Sequence, residues 1–219
     1  MTHGASVRLG CQMKPSSVER ALLDLASMQK GRPYSLRPDD GKRRLADDLA
    51  RICKGLRVKP VIIGGLAVNH HGYMRLTADV DILVSRDDAV PLYRRLKSET
   101  GWKRYAEGFM NTALNVGVDV CVEGEKTSPR SAEVFPSPAD LRTVAVSPLP
   151  VPALSELVAL KVMSGRVRDD ADVVELLKRR PSRMKVVTVA AAKRLRTEEA
   201  RGRLRGLLVR AEEELARRR

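Results

Sequence analysis

Aromatic residues are scarce in this sequence: two Phe, four Tyr and one Trp among 219 residues. A folded core must therefore be made mostly of Leu, Val, Ile and Ala, which the 43% apolar content can supply. Cysteine is nearly absent. Cys11, Cys53 and Cys121 are odd in number and have no paired spacing, which argues against a disulfide framework and against a cysteine zinc site. Only three histidines occur, His3, His70 and His71, so a His-rich metal site is also excluded. No segment approaches the roughly 18 consecutive apolar residues that a membrane span needs. Met1 to Lys14 has no apolar run of the signal-peptide kind. The expectation is a soluble, cytoplasmic protein that does not use a membrane.

What the sequence has in excess is positive charge. The net charge is +14, and fifteen Lys/Arg against five Glu between Lys178 and Arg219 supply +10 of it. A basic end of this kind suits a polyanionic partner such as RNA or DNA. It equally suits a solvated helix in an arginine-rich chain.

Along the chain, Ser16 to Gln29 reads as a helix: Ser16 and Glu19 make a capping box, and Val18, Leu22, Leu25 and Met28 recur at helical spacing. Gly31 to Lys42 reads as a loop. Arg43 to Leu56 reads as a second helix, with Leu45, Leu49, Ile52, Cys53 and Leu56 on one stripe. A β-branched strand over Val58–Ile63 stops at Gly64-Gly65, and a short helix follows over Leu66–Gly72. Asp79–Val84 is a strand. Asp87–Ser98 is a helix that tolerates Pro91 only in its first turn. Trp102–Ala106 and Phe109–Leu114 are weaker strands. In Val116–Glu123 the four valines point one way, and Gly117, Asp119, Cys121 and Glu123 the other. Gly124–Pro150 holds five prolines and no helical period. Pro152 reads as the first residue of a helix ending near Gly165, and Asp169–Arg180 as a helix ending before Pro181. One or two basic helices follow over Val186–Arg219. The expected division is a helical segment over 1–57, a catalytic core over 58–150 and a basic helical region over 151–219.

The chemistry-bearing stretch is GGLAVNHHGYMRLTADVDILV, residues 64 to 84. Glycines let the backbone turn tightly and approach a ligand, and a helix start offers unpaired N–H groups to phosphate. Asp79 and Asp81, two residues apart at the head of a strand, share one face. Adjacent carboxylates repel unless something positive lies between them. Hard oxygen donors without Cys or His nearby favour magnesium or manganese over zinc. Asp119, inside the alternating valine strand, must face solvent or a ligand, because burial without a partner is costly. Gly-Gly pairs and D-x-D pairs are each common. Their combination at this spacing, with a later strand aspartate, is more specific.

Gly64-Gly65, Asp79, Asp81 and Asp119 resemble the signature of the DNA polymerase β-like nucleotidyltransferase superfamily. RLTADVDILV, residues 75 to 84, is most similar to the minimal bacterial type related to abortive-infection nucleotidyltransferase toxins. LVALKVMSGRVRDDADVVEL, residues 157 to 176, is similar to the downstream helix pair of those proteins. The resemblance covers roughly residues 58 to 178 and is patchy between 85 and 155. It implies an α/β (α+β) fold with a small mixed β-sheet core, flanking helices and a helical C-terminal region. It also implies transfer of an NMP from an NTP such as ATP to an acceptor. Asp79, Asp81 and Asp119 would be the catalytic, metal-binding carboxylates for Mg2+ or Mn2+. Gly64, Gly65, Arg75, Thr77 and Lys161 would bind the nucleotide. Arg166, Arg168, Asp169 and Asp172 could instead form a structural ion-pair cluster, and His70 or His71 could pack or cap. The basic end points to RNA, a tRNA end included, as acceptor. The resemblance allows a toxin role with an antitoxin or other partner protein. A protein or small-molecule acceptor, and a non-catalytic nucleotide- or nucleic-acid-binding module, are the alternatives.

Overall fold

The alternation of valine with small or polar residues in residues 116–122 fixes which way the sheet faces. In the computed structural model, which describes residues 41–105 and 108–217, Val116, Val118, Val120 and Val122 are buried while Asp119 is exposed. The helix expected over Ser16–Gln29 lies outside the described residues. So does most of the loop expected over Gly31–Lys42, whose last two residues already belong to a helix.

The fold class is α/β (α+β), a five-stranded mixed sheet with seven helices among the described residues. Helix α1 (Gly41–Leu56) buries Leu45, Leu49, Ile52 and Cys53 on one side. It ends with Arg57 in the left-handed region (φ 60°). Val58 N–H donates to Cys53 O and Arg57 N–H to Lys54 O, the paired bonds that satisfy a helix's last carbonyls. This cap, followed by Pro60 with no N–H to give, shortens the strand expected over Val58–Ile63 to β1 (Val61–Ile62).

The glycine pair is not a turn before the next helix. It is the helix start: α2 spans Gly64–His70. Strand β2 (Asp79–Val84) and helix α3 (Arg86–Ser98) follow. The Ser85 hydroxyl caps α3 by accepting from Asp88 N–H at 3.2 Å, with Asp87 and Asp88 in the first turn. Pro91 sits five residues past Arg86, beyond the first turn expected of it. Burial of Leu92 and Leu96, both wholly inaccessible, keeps the helix continuous there; truncating such a leucine costs ~2–5 kcal/mol.

Strands β3 (Trp102–Tyr105), β4 (Gly108–Asn111) and β5 (Val116–Val122) complete the sheet in the order β1-β2-β5-β4-β3. Only β2 and β5 run parallel, with Asp79 beside Gly117 and Asp81 beside Asp119. A two-stranded ribbon, β6 (Thr143–Val144) with β7 (Val151–Pro152), precedes helix α4 (Leu154–Ser164). Pro152 thus ends a strand, and Ala153 is the residue before the helix. Helix α4 is buried nearly all round and stops at Gly165 in the left-handed region, φ 67°.

Helices α5 (Val167–Lys178), α6 (Met184–Ala192) and α7 (Glu198–Ala216) pack with α4, through Val173, Leu177, Leu204 and Leu207 among others. Much of the charge on α7 is matched at home. Arg203 pairs with Asp170, Arg210 and Lys178 with Glu214, and Arg201 and Arg205 with Glu198. The exposed cations Arg179, Arg183, Lys185, Lys193 and Arg196 have no carboxylate partner among the described residues. Among the described residues no helix is long and apolar enough to cross a membrane.

Candidate active site

Parallel pairing of β2 and β5 puts Asp81 and Asp119 side by side, on strands whose spacing is about 4.8 Å. Asp79, two residues earlier on β2, shares their face. The opposite face carries Val80, Ile82, Val118 and Val120, all in the core. Apolar alternation on each strand therefore brings three carboxylates to one side of the sheet.

Two glycines make room for them. Gly64 sits at φ +64°, and a Cβ there would overlap the Asp81 carboxylate. Only glycine meets both conditions. The Gly65 N–H lowers the Asp81 carboxyl, and a Cβ on Gly65 would come within 2.5 Å of Thr77 Oγ1. Thr77 is buried, and its hydroxyl reaches the Asp79 carboxylate at 3.3 Å. A third glycine, not singled out in the sequence, does the same for Asp119. A Cβ on Gly108 would collide with Val118 O and lie 2.9 Å from Asp119 Oδ1.

The electrostatics are unbalanced here. Burial, then Asp79, then Asp119 push the Asp81 carboxyl up to about 6, against the opposing pull of Lys161 and the Gly65 N–H. Burial, Asp81 and Asp119 likewise push the neighbouring Cys121 thiol up to about 12, so it stays neutral.

Lys161 is neither a surface lysine nor free to swing. It is 5% exposed on α4. Its Nζ donates to Asp169 Oδ1 at 2.6 Å and pairs with Asp172 Oδ2 at 2.9 Å. Asp169 also takes Arg166 Nε at 2.7 Å and the Ser164 hydroxyl. Burial alone would raise the Asp169 carboxyl, but Lys161, Ser164 and Arg166 together hold it below its ordinary value. Asp172 takes Arg75 as well, at 2.7 Å from Nε and 2.9 Å from the terminal nitrogen. The aspartates of α5 thus do form an ion-pair cluster. Arg168 is outside it and donates to Leu76 O.

These groups border a cleft of about 660 Å³, within the range of small-molecule sites. Gly64, Asp81, Asp119 and Lys161 line it together with Arg166 and Asp169. Gly65, Arg75, Thr77 and Asp79 do not line it; Arg75 is held by Asp172, and the Thr77 hydroxyl donates to Asp79. Of the histidines, His71 packs, its Nε2 2.8 Å from Pro152 O. Burial, mainly, lowers its pKa despite that bond.

The donor set suits a hard divalent cation: all carboxylate oxygen, with Asp79 and Asp119 both raising the Asp81 carboxyl. Among the described residues, no group of three or more His, Cys, Asp or Glu already surrounds one metal position. The fit is one of donor chemistry and charge, with side-chain adjustment needed to close on an ion.

No protein-family model matches the chain, and no characterised protein matches it in sequence. Solved structures similar to it include the antibiotic-resistance factor ANT(2″)-Ia (12% identity over 79% of this chain and 95% of that one, TM-score 0.42). An antigenic nucleotidyltransferase-like protein from Paracoccidioides brasiliensis is 12% identical over 78% and 93%, with TM-score 0.41. The STING-associated CdnE c-di-GMP synthase from Capnocytophaga granulosa is 10% identical over 90% and 92%, with TM-score 0.36. Likeness at this level assigns no activity to the chain.

Proposed function

We propose that this protein is a polymerase β-like nucleotidyltransferase that moves a nucleoside monophosphate from an NTP to an acceptor hydroxyl, using Mg2+ or Mn2+. The observation that carries this reading is the pairing of Asp81 with Asp119 on parallel strands, with Gly64 pressed against the Asp81 carboxylate at the mouth of the cleft. Asp79, Asp81 and Asp119 would hold the cation. When bound, such ions acidify the attacking hydroxyl and neutralise charge developing on phosphate. Asp119, exposed and facing the cleft, can accept the proton of an acceptor hydroxyl. Gly64 lets the chain pass close to the carboxylates, and Gly65 orients Asp81. Lys161 and Arg166 bring positive charge to the end of the cleft where a polyphosphate would lie. Both are steadied by Asp169.

RNA is the favoured acceptor. Its support is the exposed set Arg179, Arg183, Lys185, Lys193 and Arg196, which have no carboxylate partner among the described residues, rather than α7, whose arginines are largely paired with its own and neighbouring carboxylates. The test is a transfer assay with each α-labelled NTP, Mg2+ or Mn2+ and total RNA, run beside the Asp79→Ala/Asp81→Ala double variant. Label entering RNA only with the intact protein supports the reading. NTP and metal binding without RNA labelling moves the acceptor to a protein or small molecule. No binding of either overturns the enzyme reading. Growth arrest on expression, relieved by the double variant, would extend it to a toxin held in check by a partner protein.

A further inference from the structure

The cleft lining mixes the charged side chains Asp81, Asp119, Lys161, Arg166 and Asp169 with the apolar Ile63, Leu160 and Phe135. Phe135 is the one aromatic among the described residues that line it. The chain's other phenylalanine, Phe109, is 1% exposed in the core, whereas Phe135 is left partly open on a concave wall.

Its position is held firmly. Phe135 N–H donates to Glu125 O and Gly124 N–H to Phe135 O, both at 2.9 Å. Lys126 bridges Val134, and Thr127 N–H donates to Glu133 O, so residues 124–135 form a small hairpin that continues from β5. The hairpin is tied to α4 by the Thr127 and Ser131 hydroxyls, which donate to Met163 O at 2.6 and 2.5 Å. It is tied to the start of α7 by the buried Glu133 carboxylate, which accepts from Arg196 N–H, Thr197 N–H and the Thr197 hydroxyl. An aromatic ring held this way is a preorganised platform.

We propose that Phe135 is the stacking wall for the nucleobase of the bound nucleotide, with the phosphates toward Lys161 and Arg166 on the same cleft. This rests on the nucleotidyltransferase reading and adds a specificity-determining residue to it. A nucleotide offers both kinds of surface that the lining can meet, a flat apolar-faced base and a polyanionic tail.

The experiment compares the full-length wild type with Phe135→Ala and Phe135→Tyr, measuring dissociation constants for ATP and for inorganic tripolyphosphate in Mg2+ by calorimetry. Phe135→Ala is expected to weaken ATP roughly tenfold, in the range for losing one base–aromatic stack. Tripolyphosphate affinity should be unchanged in it, and Phe135→Tyr should keep the wild-type ATP affinity. Unchanged ATP affinity in Phe135→Ala overturns the proposal, as does an equal loss of tripolyphosphate affinity. A wild type that binds ATP no better than tripolyphosphate also overturns it. Failure of the wild type to bind either compound overturns the underlying enzyme reading as well, so the two failures are distinguishable.

Discussion

Two acidic clusters that each send aspartate to the same cleft, Asp169 from one and Asp81 and Asp119 from the other, are built on opposite terms. Asp169 and Asp172 on α5 are buried, and each is met by at least two cationic groups from Lys161, Arg166 and Arg75. Asp79, Asp81 and Asp119 on the sheet crowd one another, with Lys161 acting on Asp81 only from a distance. In the first cluster the Asp169 carboxyl is pulled down, and in the second Asp81 is pushed up. Both are aspartate-rich, yet in the sheet cluster the carboxylates raise one another, as at Asp81. Buried charge that the protein itself satisfies is architecture; charge it leaves unsatisfied beside a cleft is where a cation or substrate is expected.

The sharpest way to break this contrast is Asp81→Asn. Nucleotidyl transfer should fall to background, while cation-free thermal stability stays level or rises because a repulsive charge is gone. A variant that unfolds would contradict the contrast. Lys161→Met should do the reverse to stability, leaving Asp169 and Asp172 short of a partner at a cost of ~3–5 kcal/mol. Chemical denaturation would measure it. Gly64→Ala keeps every carboxylate but drives a methyl into Asp81 in a strained backbone region. It should abolish transfer and cost roughly 1–3 kcal/mol, and retained activity would show that the close approach is not needed.

The two clusters should also answer pH with opposite sign. The folded state holds the Asp81 proton more tightly than the unfolded chain does, so this group's stabilisation is full below the ordinary carboxylate range and is lost as pH rises through about 6. In cation-free buffer the melting temperature should climb by a few degrees from pH 7.5 to 5, and Asp81→Asn should flatten that climb. Asp169 contributes the other way: its stabilisation is present above the ordinary range and disappears as pH falls through its lowered value. The smallest effect is expected at the exposed Arg205–Glu198 pair on α7. Arg205→Ala should leave the melting temperature unchanged within error, since solvent-exposed pairs contribute little.

How much of this could be read from the sequence depends on whether a signal is local. Asp79–Val84 matches a strand of the sheet, and the valine alternation of residues 116–122 gave the facing of Asp119 correctly. Both rest on period-two patterning that burial on one face enforces. Proline was less informative. Pro91 lies deeper in its helix than expected, because packing of Leu92 and Leu96 outweighs the missing bond. Pro152 ends a strand, because β6 supplies a partner far away in sequence. The strand over Val58–Ile63 shrank because Arg57 took a left-handed cap that composition does not announce. The basic end looked like one polyanion-binding region, but its pairing with Glu198, Glu214 and Asp170 is tertiary or helix-face geometry.

The sequence by itself determined the carboxylate face: alternation on two strands leaves Asp79, Asp81 and Asp119 no apolar side to occupy. Only the tertiary structure decided that β2 and β5 lie parallel in a register that sets Asp81 against Asp119. It also decided that Gly108 clears space for Asp119, that Lys161 and Arg75 are bound by the α5 aspartates, and that Phe135 lines the same cleft as Asp81 and Asp119. Those relations join residues tens of positions apart. Strand register, helix packing and charge pairing are settled by which surfaces meet, and no local pattern records that.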